Sequence, residues 1–363
     1  MRLALLHPTY WPEVRRGSER LAHDLAMTLA GRGHEVTLVT THHHRRSVTV
    51  EDGFRVVRAR RVPPLPGMDW YDEYIGAVPA TLAELVRGRY ELVHALYPVD
   101  AWTARLAHRL GGAPYVLSVH GIVNREYLVK RRYRIEMLKA AAEDAAAVSV
   151  LSQAAAEPLR RYALAEPVIL PGGVIAADYL GPVERPPTPT LLCPASLGDP
   201  RKRGDLLLQA FASLRDRLPE AQLVLASGRD PFSGSGPERL PDRVRGVGLS
   251  DTAALAAAYR SSSLTVLPAD DEAFGLVLVE SLAAGTPVVA ARSGGCVEIV
   301  TDESIGRLFE PGDPADLARA VGEVLELAAD PATVDACRAH AAAWNWSRVI
   351  ERYEAVYEAA LGR

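Results

Sequence analysis

One proline-rich run, residues 181–189, breaks an otherwise regular pattern along this chain. Its sequence is Gly181-Pro182-Val183-Glu184-Arg185-Pro186-Pro187-Thr188-Pro189. Four prolines in nine residues continue neither a helix nor a central strand, because each lacks an N–H and fixes φ. On both sides of the run, short apolar or β-branched segments alternate with stretches of helical periodicity. The strand-like segments before it are 3–7, 35–40, 54–58, 91–96, 115–119 and 148–151. Those after it are 191–195, 223–226, 264–267 and 288–291. Leu21, Leu25 and Leu29 mark the face of the first helix, which stops at Gly31 and Gly33. Such alternation predicts parallel sheets covered by helices. The expected architecture is α/β, with two Rossmann-like doubly wound domains. They are residues 1–180, an interdomain linker at 181–189, and residues 190–345. The tail 346–363, with Trp346 and Tyr353, reads as a last helix. Ligands of open parallel sheets sit at the carboxyl ends of the strands, so the site is expected in a cleft between the domains.

Composition narrows the function classes. The 363 residues are 48% apolar and 24% charged, enough to bury a core in each half and unlike a disordered chain. A net charge of −4 argues against a dedicated nucleic-acid binder. It averages two unlike halves: residues 1–180 hold 23 Lys and Arg against 19 Asp and Glu, a net of +4, and the remainder 18 against 26, a net of −8. The basic excess peaks at Lys130-Arg131-Arg132-Tyr133-Arg134, beside an apolar stripe of Leu128, Ile135, Leu138 and Ala142. This run reads as a solvated helix face or as a peripheral contact with an anionic acceptor or membrane surface. Cys193, Cys296 and Cys337 are too far apart for a disulfide framework or a zinc site, which fits a reducing cytoplasm. No window approaches the ~18 apolar residues of a membrane span, and the first apolar run is too short for a signal peptide.

The most informative stretch runs from Leu264 to Val289. A buried strand is followed by the acidic loop Asp270-Asp271-Glu272, a helix, the turn Gly285-Thr286-Pro287 and another strand. Phe274, Gly275 and Leu276 open the helix, where free N–H groups and the helix dipole hold an anion. Gly275 lets a phosphate approach the backbone. Glu272 precedes the helix and Glu280 lies two turns into it, so one carboxylate meets a ligand at the helix mouth and the other reaches a second group. An anionic Glu280 on an otherwise apolar helix needs a partner if buried.

The pair in Glu272-Ala273-Phe274-Gly275-(Leu-Val-Leu-Val)-Glu280 resembles the signature of family 4 retaining glycosyltransferases of the GT-B fold. Seven further motifs follow that family's order: Arg16-Gly17-Ser18-Glu19, Gly33-His34-Glu35-Val36 with Leu92-Val93-His94-Ala95, Val119-His120-Gly121, Leu170-Pro171-Gly172-Gly173-Val174, Lys202 with Asp205-Leu206-Leu207-Leu208, Gly294-Gly295-Cys296-Val297-Glu298-Ile299, and Gly306-Arg307-Leu308-Phe309. The resemblance spans nearly the whole chain. It implies that the second domain binds a nucleotide diphosphate-sugar, with UDP or GDP favoured, and that the first binds the acceptor across the cleft. Glu280 would hydrogen-bond the ribose and Glu272 the donor sugar. Phe274, Gly275 and Leu276 would offer backbone N–H groups, and Lys202 would stabilise the leaving diphosphate. Gly17 would let its loop close on the phosphates, and His120 would sit near the reacting sugar. The last helix would cross back onto the first domain. No cofactor and no essential metal are implied.

The chain departs from the family pattern at Ser196, where an arginine is usual. Arg201 or Arg203 is the expected substitute, since a guanidinium binds phosphate bidentately. A nucleotide-sugar epimerase and a non-catalytic nucleotide-sugar binding subunit are the competing readings. The acceptor is unspecified (a glycan, a lipid-linked group or a natural-product hydroxyl), and the individual loop 60–74 with Trp70 and Tyr71 is where acceptor choice is expected.

Overall fold

Apolar strand runs and helical stretches assemble into two separate α/β units. The computed structural model describes all residues except 15, 64–71, 163, 196–197, 228–239 and 249–250; for 72, 73, 125, 127 and 227 it describes the backbone alone. Ser196, Trp70 and Tyr71 therefore lie outside the described residues.

The first unit comprises Met1–Gly172 and Trp346–Arg363. Its strands are β1 (Arg2–Leu6), β2 (Glu35–His42), β3 (Ser47–Glu51), β4 (Phe54–Arg60), β5 (Leu92–Ala95), β6 (Tyr115–Val119), β7 (Ala147–Val150) and β8 (Val168–Ile169). They form one sheet in the order β3-β4-β2-β1-β5-β6-β7-β8. Neighbours are parallel except at the β3–β4 edge. That hairpin turns through Asp52 (φ 46°) and Gly53 (φ 86°), the two left-handed residues that a two-residue turn between twisted strands requires.

The second unit is Gly173–Asn345. Its strands are β9 (Thr190–Cys193), β10 (Gln222–Ser227), β11 (Val244–Gly248), β12 (Leu264–Leu267), β13 (Val288–Ala291) and β14 (Gly306–Phe309). The order is β11-β10-β9-β12-β13-β14, parallel throughout. β9, β12 and β13 are buried along their whole length, as expected for strands covered on both faces.

The chain crosses between units after Gly172 and after Asn345, so residues 173–189 belong to the second unit and 181–189 is not the linker. Arginines fix that segment in place. Arg185 donates to the carbonyls of Ser262 (2.7 Å) and Gly285 (2.7 Å) and to Thr286 Oγ1 (3.0 Å). Arg338 donates to the Gly181 carbonyl (2.6 Å). Prolines bar this stretch from helix and central strand, and it lies as a strap along its own unit.

The helix Trp346–Ala360 packs in the first unit through Trp346, Val349, Ile350, Tyr353 and Tyr357, a stripe at helical spacing. Tyr357 OH lies 2.7 Å from His94 Nδ1. Glu354 accepts from Arg32 (2.8 Å) and pairs with His34 (2.9 Å). The basic run near residue 130 is partly turned inward. Lys130, Arg131 and Arg132 are exposed, whereas Arg134 is fully buried. The stripe beside it packs on the core through buried Leu128 and Leu138 and partly buried Ile135 and Ala142.

Candidate active site

In the second unit, strand order reverses between β9 and β12, the switch point at which doubly wound sheets bind ligands. The segments leaving these two strands carry the residues singled out by sequence. After β9, the single turn Pro200–Lys202 is capped by Asp199, whose Oδ1 accepts from the Arg201 N–H at 3.0 Å. After β12, Asp270 N–H donates to the Arg201 carbonyl at 2.8 Å. That backbone bond ties the two segments together and sets Lys202 opposite Glu272. Lys202 Nζ lies 2.5 Å from Glu272 Oε2, with the side chains 24% and 19% exposed.

Arg203 adopts left-handed backbone geometry (φ 49°, ψ 48°), disfavoured for a residue with a Cβ. Its guanidinium is engaged by Asp270 (2.9 Å) and Asp205 (3.3 Å). Arg201 is an exposed partner of Asp199. Both arginines expected to replace a charge at position 196 are thus held by carboxylates of the same segments.

Gly275 (φ 98°) precedes the helix Leu276–Ala284, and no side chain caps that helix end. Left-handed geometry there is accessible to glycine at no steric penalty; the Leu278 N–H turns back to the Gly275 carbonyl at 2.9 Å, and an uncapped helix end of this kind can meet an anion. Phe274 is buried at 5% and Leu276 is half-buried. The Gly294-Gly295 turn backs this loop. A Cβ on Gly295 would stand 2.7 Å from Phe274 Cα, and one on Gly294 would stand 2.1 Å from the Glu272 carbonyl oxygen. Gly295 N–H donates to that carbonyl at 2.7 Å. The sequence motif is therefore a close backbone approach that shapes the Glu272 loop.

Glu280 is 1% exposed and its Oε2 accepts from Tyr259 OH at 2.8 Å. The neighbouring Ser281 Oγ donates to the Thr286 carbonyl at 2.9 Å and lies 2.8 Å from Thr265 Oγ1, whose hydroxyl supplies the hydrogen of that second bond. The helix carrying Glu280 is thereby locked to β12 and to the Gly-Thr-Pro turn.

In the first unit, Gly17 is the first residue of the helix Gly17–Gly31. A Cβ there would meet nothing within 4 Å, so the fold itself does not demand glycine at this position. Glu19 is wholly buried. It accepts from Thr9 Oγ1 (2.7 Å), Ser18 Oγ (3.0 Å) and Arg16 (3.4 Å), which orders the loop between β1 and that helix. His120 follows β6. Both its ring nitrogens are buried and have no hydrogen-bond partner among the described residues. Burial, with His7 and His94 close by, pushes its pKa down to about 3, so it is neutral. Thr9, His7 and Tyr259 lie in no motif of the sequence and reach the site residues only through tertiary contacts.

The architecture is shared with sucrose-phosphate synthase from Thermosynechococcus elongatus, which is 25% identical, with 98% of each chain covered and a TM-score of 0.83. Two such units, the second with an ion pair and an uncapped helix end at its switch point, define a GT-B glycosyltransferase. The family model for glycosyl transferases group 1 matches residues 183–341 and that for glycosyltransferase family 4 matches residues 15–177. D-inositol 3-phosphate glycosyltransferase 2 of Catenulispora acidiphila is 31% identical over 310 residues, covering 76% of this chain and 72% of the relative. A phosphatidyl-myo-inositol mannosyltransferase of Propionibacterium freudenreichii is 27% identical over 348 residues, covering 92% and 88%. The chain belongs to the group 1, family 4 glycosyltransferases. Among the described residues, no helix is long and apolar enough to cross a membrane.

Proposed function

We propose that this glycosyltransferase takes a hexose from a nucleotide diphosphate-sugar and transfers it, with retention of anomeric configuration, to a hydroxyl of an inositol-type polyol. The observation that carries the donor reading is Lys202, set against Glu272 beside the uncapped N-terminus of Leu276–Ala284. Breaking the bond from the anomeric carbon to phosphate leaves growing negative charge on the diphosphate. A fixed ammonium and a helix end stabilise that charge without reorganising. Glu272 accepts hydrogen bonds from the donor sugar and Glu280 from the ribose. Ser196 stands where the family's phosphate arginine is usual, so Lys202 carries the larger share of the charge. The acceptor hydroxyl attacks on the face from which the diphosphate leaves and gives its proton to a phosphate oxygen. No enzyme nucleophile and no metal take part. In this reading His120, neutral and without a hydrogen-bond partner among the described residues, offers a hydrogen bond to the transferred sugar.

The acceptor class is drawn from the relatives' names, which specify D-inositol 3-phosphate and phosphatidyl-myo-inositol. The test is transfer from UDP- and GDP-hexoses to D-inositol 3-phosphate in the presence of EDTA, with the product's anomeric coupling read by NMR. A retained α-linkage supports the reading. An inverted product, or transfer abolished by EDTA and restored by a divalent metal, contradicts it.

A further inference from the structure

The carboxyl ends of three neighbouring strands of the first unit, β1, β5 and β6, bring together two histidines with unsatisfied ring nitrogens. Leu5 pairs with His94, and His94 pairs with Val116. Side chains alternate along strands, so His7, two residues past Leu5, emerges on the face of His94. His120, four residues past Val116, emerges there too. His94 Nε2 lies 2.6 Å from Ser118 Oγ, which confirms the shared face. The ladder continues through His7, whose N–H donates to the Val39 carbonyl at 3.2 Å.

His7 is 2% exposed. Its Nδ1 lies 2.7 Å from the Thr9 carbonyl oxygen. A carbonyl has only lone pairs to offer, so at that distance Nδ1 carries the hydrogen. The Thr9 N–H at 3.4 Å from the same nitrogen is a longer contact and does not compete. Nε2 is then the bare lone pair. It is buried and has no partner among the described residues. Thr9 is itself held by Glu19, so the tautomer rests on a fixed loop. Burial keeps His7 below its ordinary pKa, as it does His120.

We propose that His7 Nε2 is a built hydrogen-bond acceptor for a hydroxyl of the polyol that receives the sugar, with His120 completing the contact. Two neutral imidazoles present two lone pairs and one N–H. That set matches a vicinal diol, in which each hydroxyl both donates and accepts. It does not suit a phosphate, which would meet two lone pairs and a single donor. Among the described residues, no three His, Cys, Asp or Glu side chains are grouped to hold a metal. His7 is thus a positioning residue for the acceptor, and the inference rests on the acceptor reading above.

The test uses His7→Asn, whose amide N–H still reaches the Thr9 carbonyl but leaves no acceptor at the Nε2 position. His7→Gln places an amide oxygen near that position. His7→Asn is expected to lower kcat/KM for D-inositol 3-phosphate roughly tenfold, the scale of one lost hydrogen bond in a buried site. UDP affinity by calorimetry and the thermal midpoint stay near wild type, and His7→Gln recovers part of the loss. Unchanged kcat/KM in His7→Asn overturns the proposal, as does a loss of UDP affinity equal to the loss of transfer. If the wild type binds neither UDP nor GDP, the donor reading fails alone. The 15N shift of His7 Nε2 then decides: movement with myo-inositol and none with inorganic phosphate supports the proposal. No movement with myo-inositol, or movement with phosphate alone, overturns it.

Discussion

Lys202 and Glu272 form an ion pair at 2.5 Å in the segment that the proposed donor must occupy, so the ammonium that meets the diphosphate is already engaged by the carboxylate that meets the sugar. A ligand lacking the sugar must compete with Glu272 for Lys202. A ligand with the sugar gives both residues a partner.

Glu272→Gln should separate these effects. Releasing Lys202 from a partly exposed pair is expected to strengthen binding of the bare nucleoside diphosphate by about 0.5–1 kcal/mol. The same change should weaken binding of the corresponding nucleotide-sugar, because an amide is a poorer acceptor for its hydroxyls. Calorimetry with UDP and UDP-glucose reads both, and equal shifts for the two ligands would remove Glu272 from the sugar site.

Glycine substitutions separate shape from chemistry. Gly295→Ala drives a Cβ to 2.7 Å from Phe274 Cα and is expected to destabilise the fold by about 1–3 kcal/mol, the range for overpacking. Gly17→Ala meets open space and should leave stability within about 0.5 kcal/mol. Urea denaturation gives both values. Transfer lost in a fully stable Gly17→Ala protein would mark that position as a ligand contact.

Much of this was legible before the structure. β9, β12 and β13 announce themselves as unbroken apolar or β-branched runs, and the Glu272–Glu280 motif placed its helix correctly. The edge strand β3 did not, because Val48 and Val50 are exposed and its residues alternate without a buried face. The neighbouring Asp52-Gly53 turn was the available signal. The prolines of 181–189 say what that segment cannot form, but not what it lies on, which depends on the distant partners of Arg185 (Ser262, Gly285 and Thr286) and on Arg338. The same limit hid Tyr259 and His7, whose meaning comes from partners brought by the fold.

Tyr259 supports Glu280 from behind, so the two can be tested apart. Glu280→Gln keeps the shape and can still accept from Tyr259 OH, and it is expected to weaken nucleotide binding by about 1–3 kcal/mol through poorer hydrogen bonds to the ribose. Tyr259→Phe should lower stability by about 1 kcal/mol with a smaller effect on affinity. Unchanged affinity in Glu280→Gln would leave that carboxylate a purely internal group.

Acid should loosen the first unit before most carboxylates titrate. Burial holds His94 and His120 down to pKa values of about 3, against 6.5 when unfolded. Their folded-state pKa values lie below the unfolded one, so the unfolded chain binds more protons from about pH 6.5 downward, and stability falls as pH falls. Each histidine contributes up to about 1.4 kcal/mol per pH unit well inside that window. The urea midpoint should drop between pH 7 and pH 5, and His120→Asn should flatten the slope. A midpoint constant over that range would show that neither histidine is buried neutral.

The central claim is that the carboxyl edge of β9 and β12 binds a nucleoside diphosphate through Lys202. Titration of UDP and GDP into the wild type and Lys202→Ala by calorimetry tests it most directly. The account predicts saturable one-site binding of at least one of the two without added metal, weakened by about 1.5–3 kcal/mol in the variant. Equal affinity in the two proteins would contradict it.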